Sequence, residues 1–159
     1  MNIFVLDQDP KLAALYHCDK HVVKMILESA QLLSTAHRLC GGDSINTYKP
    51  THINHPCSIW VRESSNNYNW LYNLFVCLLD EYWYRYGNKK NKQHKCAELK
   101  NILKNVPPNI PELIMTPWRT AMPEECKISL DVITNYRHYY KTHKTNLLNY
   151  TLREKPFWL

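Results

Sequence analysis

The chain has 159 residues, 20 Lys+Arg against 14 Asp+Glu, and a formal net charge of +6. That length suits one domain over residues 1–159, since a second would have too few residues to bury its own core. Hydrophobic residues at 45% exclude disorder, three glycines exclude collagen and glycine-rich linkers, and the apolar runs fall far short of the ~20 residues of a membrane span.

The opening MNIFVLDQD has no basic segment, long apolar stretch or small-residue cleavage site, so it does not read as a signal peptide. Residues 3–6 (IFVL) form either a buried strand or an extended arm. Asp9-Pro10 starts a helix, with an acid at the N-cap and proline at the first helical position. Val22, Val23, Met25, Ile26, Ala30, Leu33 and Ala36 then make the apolar face of a helix of about five turns, which Gly41-Gly42 ends. Residues 43–56 are a loop. Ile59, Trp60 and Val61 mark a short helical piece. Trp70, Leu71, Leu74, Phe75, Leu78, Leu79, Tyr82 and Trp83 mark a long apolar helix stopped at Gly87.

A lysine-rich loop, NKKNKQHK (88–95), leads to a short helix over about 96–105. Residues 106–128 hold five prolines and read as an ordered, irregular crossing. Ser129 or Asp131 caps a last helix through about His143, and Phe157 and Trp158 are expected to dock on the core. The class is all-α, a compact helical bundle. The six cysteines include no C-x-x-C and read as free thiols in a reducing compartment.

Tyrosine and tryptophan alternate with base in YWYRYG (82–87) and YRHYYK (136–141). Lysines attract phosphate and aromatic faces stack on unpaired bases, although the same pattern also describes a solvated basic loop and amphipathic tyrosines over a core.

Three constellations can carry chemistry. In HCDKH (17–21), continued by Lys24 and Glu28, the residues His17, His21, Lys24 and Glu28 share one face if all are helical. Such a set offers an acid, a base or an amine nucleophile, or is a solvent-facing strip. THINHPC (51–57) opens the helix carrying Trp60 and Arg62, and a loop-to-helix junction suits an anion; the bland alternative is a capping loop. His17, His21, His52 and His55 together are a candidate zinc set. In YRHYYK, Arg137 and Lys141 sit one turn apart and can meet phosphate, while most of its tyrosines read as packing residues.

The succession HCDKHVVKM, NHPCSIWV, a Trp-Leu helix ending EYWYRYG, then AMPEE and YRHYY resembles a family of small phage and large-DNA-virus proteins over nearly the whole chain. That family in turn resembles the pyrimidine-dimer DNA glycosylases of the phage endonuclease V type. The shared order runs over roughly residues 1–87: an N-terminal segment, an acid early in the first long helix, an N-H-P loop, and a helix closing in R-x-G.

The resemblance implies a compact all-α enzyme that uses no metal or other cofactor, acting as a monomer on duplex DNA. An N-terminal α-amine attacks C1′ of the damaged nucleotide, a Schiff base forms, and a carboxylate stabilises the sugar cation and assists strand-breaking elimination. An α-amine, with an ordinary pKa near ~8, keeps a useful neutral fraction at neutral pH.

Carried onto this chain, the acid maps to Asp19, where the family has Glu. The family's nucleophile is the amine of a Thr exposed by loss of the initiator Met, whereas residue 2 here is Asn. The amine is then that of Met1, or of Lys20 or Lys24, which as neighbours depress each other's pKa. His17, His21, Lys24, His52, His55, Arg62, Arg137 and Lys141 are expected to position phosphate or an extruded base. The alternatives are a non-catalytic nucleic-acid-binding accessory protein and a His-rich metal-dependent hydrolase of nucleotides or nucleic acid. A single site further requires His17, Asp19, His52 and His55 to lie within reach of one another.

Overall fold

The computed structural model describes residues 1–87, 89 and 91–159. Asn88 and Lys90 of the lysine run lie outside the described residues. The protein is all-α, with no strand among the described residues. No helix among them is long and apolar enough to cross a membrane.

The helices begin and end where local chemistry requires. The Asp9 side chain accepts from the Lys11 N–H and Pro10 takes the first position of α1 (Pro10–Tyr16). α2 (Asp19–Leu39) ends at Cys40, and Gly41 turns the chain away with φ +79. His55 caps α3 (Pro56–Glu63) by accepting the Cys57 N–H on Nδ1. Ser64 caps α4 (Ser65–Tyr82), which runs into a single π-helical turn, Trp83–Gly87.

The short helix expected at 96–105 is a 3₁₀ turn (Lys95–Leu99) followed by α5 (Lys100–Leu103). The proline-rich crossing is irregular apart from one 3₁₀ turn, Glu124–Cys126. Asp131 caps α6 (Val132–His143) by accepting the N–H groups of Ile133 and Thr134.

α4 packs against both α1 and α2. The core joins Val22, Met25, Ile26 and Leu33 of α2 to Leu71, Leu74, Phe75 and Leu78 of α4, all fully buried. Each such side chain contributes ~1.5–3 kcal/mol of apolar burial.

Residues 3–6 are an arm without strand pairing, all four buried. Phe4 takes φ +52, a region disfavoured for a bulky residue. Its ring stacks on His21 at 4.5 Å and meets the edge of Tyr140 at 5.5 Å. At the C-terminus the expected docking holds for Trp158 alone, since Phe157 is 84% exposed.

Candidate active site at the N-terminus

The arm brings the first two residues onto α2. Glu28 is buried there, and its Oε2 accepts the Asn2 backbone N–H at 2.7 Å. The same oxygen lies 3.9 Å from the Met1 amine, and Oε1 lies 3.3 Å from Lys24 Nζ. Lys24 is 64% exposed, so this carboxylate joins a half-buried chain end to a solvated cation.

The loop before α3 closes another side. Burial lowers the His55 pKa, and the positive N-terminal amine and His52 lower it further. The His52 and His55 rings stand edge to face at 6.5 Å. Burial pushes the nearby Cys57 thiol up to about 12, which leaves it neutral. The centre therefore combines an amine, a carboxylate, a lysine and a neutral histidine.

Asp19 is elsewhere. Glu28 follows it by about 13 Å of helical rise on α2, and the Asp19 oxygens are already engaged. They accept from the Thr151 N–H and Oγ1 and from Arg85 Nη1 at 3.1 Å. Arg85 is fully buried. It also donates to Glu81 at 2.9 Å and to the carbonyls of Leu15 and His17, where α1 ends. Arg153 reaches Glu81 from the tail. The acid and the R-x-G arginine are thus partners in one ion network joining α1, α2, α4 and the C-terminal segment, with the π-helical turn containing Arg85.

The other expected ligand-binding residues divide by exposure. His17 is no part of α2, since it caps the C-terminus of α1 with Cys18 between them, so the strip of four is broken. It is fully buried, with Nδ1 on the Ala13 carbonyl and Nε2 without a partner. His21 is buried against Phe4 and bonded to the Tyr140 hydroxyl at 2.6 Å. Burial, aided by the positive charge of Arg85, holds His17 at about 4; burial, aided by the charges of His17, Lys144 and Lys24, holds His21 at about 3. At neutral pH both buried rings are therefore uncharged.

Arg62 donates to the Ser58 and Ile53 carbonyls, and Arg137 to the Leu6 carbonyl and Asp7. Both guanidinium groups brace the chain. Lys20, Lys24, His52 and Lys141 are exposed.

Asp19 thus bonds to Arg85 and Thr151, whereas His55 faces the Met1 amine and Glu28, so the contacts of these two expected site residues are different ones. The four-histidine zinc set fails, because no group of three His, Cys, Asp or Glu among the described residues is placed to hold a metal ion.

Sequence reasoning gives Glu28 a place on a polar strip but the acid's position to Asp19. Residue type also distinguishes Glu28, the only glutamate on α2, since the acid of the resembled enzymes is glutamate. A sequence-family comparison matches residues 1–95 to the family described as pyrimidine dimer DNA glycosylase. No curated protein and no solved structure matches.

Proposed function

Because the chain belongs to the pyrimidine dimer DNA glycosylase family, we propose that it releases a damaged pyrimidine from duplex DNA and then cleaves the abasic strand, with its N-terminal amine as nucleophile and Glu28 as carboxylate. The amine nitrogen bonds to C1′ as the C1′–base bond breaks, and the base departs with that electron pair and a proton. Loss of the amine's protons and opening of the sugar leave an imine at C1′. Removal of a C2′ proton then expels the 3′ phosphate. Glu28 stabilises the sugar cation in the first stage and takes a proton in the second.

The observation that carries this reading is the Glu28 carboxylate at the chain end, 2.7 Å from the Asn2 nitrogen and 3.9 Å from the Met1 amine. With Met1 retained, its amine is the nucleophile; with Met1 removed, the Asn2 nitrogen becomes the amine on the carboxylate. Lys24, His52 and Lys141, the exposed members of the expected phosphate-positioning set, contact phosphate, and so does the exposed Lys20.

The test is borohydride reduction in the presence of duplex DNA bearing one abasic site, followed by mapping of the adduct. Reduction fixes the imine as a stable amine. A covalent complex on the N-terminal peptide is expected. An adduct on Lys20 or Lys24 contradicts the amine assignment. DNA binding without any adduct leaves a non-catalytic accessory protein.

A further inference from the structure

The chain end that approaches Glu28 is held by groups far away in the sequence. Terminal residues fray unless tied down, yet Asn2 is 7% exposed and both polar atoms of its carboxamide are hydrogen-bonded. Oδ1 accepts from the Ile3 N–H at 2.8 Å, the Phe4 N–H at 3.2 Å and the Tyr136 hydroxyl at 2.8 Å. Nδ2 donates to the Ala121 carbonyl at 2.6 Å. The Tyr136 oxygen in turn accepts the Ala121 N–H at 3.1 Å.

Asn2, Ala121 and Tyr136 thus close a ring of three hydrogen bonds, with Tyr136 buried on α6. An aspartate at position 2 would lack the donor for Ala121, and a threonine would lack the reach of a carboxamide. This is a physical reason for asparagine here. Two of the three members lie beyond residues 1–95, the extent of the family match.

We infer that Tyr136 is a positioning residue: through Asn2 and Ala121 it clamps the N-terminal segment so that the chain-end nitrogen stays on Glu28. The inference rests on the reading under Proposed function. Its physical content is that catalytic rate falls steeply with misplacement, about a hundredfold for 1 Å, and a chain end with no clamp has that freedom.

The experiment compares wild type, Tyr136→Phe and Tyr140→Phe. Tyr140 is equally buried on the same helix, and its hydroxyl bonds to His21 rather than to the arm. Two quantities are read: the single-turnover rate of borohydride trapping at saturating abasic duplex, and amide hydrogen exchange at Ile3 and Phe4.

Tyr136→Phe is expected to lower the trapping rate tenfold or more, to leave the DNA Kd within about twofold, and to speed exchange at both amides. Tyr140→Phe is expected to leave the rate and both amides near wild type. Equal rates for wild type and Tyr136→Phe, or equal losses in the two variants, would overturn the clamp. Absence of trapping by wild type would overturn the catalytic reading, and unchanged exchange in Tyr136→Phe would then overturn the clamp on its own terms.

Discussion

Glu28 Oε2 sits 2.7 Å from the backbone nitrogen of Asn2, a contact between residues 26 positions apart that draws the chain end onto the middle of α2. A buried carboxylate needs such donors, because an unpaired one loses far more in hydration than it gains. Here the donors are a backbone N–H and a lysine, with the Met1 amine close by. The same arrangement that satisfies the carboxylate also places it at the proposed nucleophile.

The first prediction concerns the chain end itself. Extending the N-terminus by two residues moves the free amine away from Glu28 without substituting any side chain. Trapping on an abasic duplex should fall at least a hundredfold, by the distance argument above, with DNA affinity little changed. Undiminished trapping by the extended protein would assign the adduct to a lysine.

A second prediction follows from Arg85. Arg85→Leu leaves Asp19, Glu81 and the carbonyls of Leu15 and His17 without their buried donor. Removing one partner of a buried ion pair costs about 3–5 kcal/mol. At roughly 2–4 °C per kcal/mol for a chain of this size, Tm should drop by about 10 °C. Asp19→Asn keeps an acceptor for Thr151 and should lose much less. Equal losses in thermal unfolding would contradict the assigned hierarchy.

The third prediction is the acid limb of stability. His17 and His21 sit near 4 and 3, below the ordinary 6.5. Between 6.5 and those values the unfolded chain binds protons that the folded chain does not, so stability falls as pH falls through that window. Burial is the main cause for both, with Arg85 facing His17, and Lys144 and Lys24 facing His21. His21→Gln should flatten the decline in urea-unfolding free energy between about pH 6.5 and 4. An unchanged slope would show that His21 carries none of it.

Fourth, the exposed lysines should act through salt. Removing a single phosphate-neutralising side chain lowers the slope of log K against log salt by about 0.9. Lys24→Ala and Lys20→Ala should each reduce the slope by about that amount for undamaged duplex. Arg137→Ala should not, because its guanidinium is turned inward onto Leu6, Asp7 and the tail aromatics. A reduced slope in Arg137→Ala would place phosphate on that side chain.

The helical frame is legible in the sequence because it rests on local chemistry: Asp9-Pro10, the apolar face of α2, Gly41 and the Asp131 cap each act within a few residues. The site is legible only in part. Position early in α2 favours Asp19, but an acid near a helix start can equally be a structural anion, and Asp19 is bonded to Thr151 and Arg85. That pairing spans 132 and 66 positions, which periodicity cannot register. The polar strip through His17, His21, Lys24 and Glu28 requires one continuous helix, whereas the chain breaks at His17 and Cys18, so only the part from His21 onward shares a helix. Tyr136 reads as packing from its neighbours in sequence and is also a hydrogen-bond hub for the arm.

The central claim is that Glu28, at the chain end, is the working carboxylate and that Asp19 is a structural one. Strand cleavage at a single abasic site, measured under single turnover for wild type, Glu28→Gln and Asp19→Asn, tests it most directly. The account predicts a fall of at least a hundredfold in Glu28→Gln and a rate within a few-fold of wild type in folded Asp19→Asn. Cleavage abolished in Asp19→Asn but retained in Glu28→Gln would contradict it.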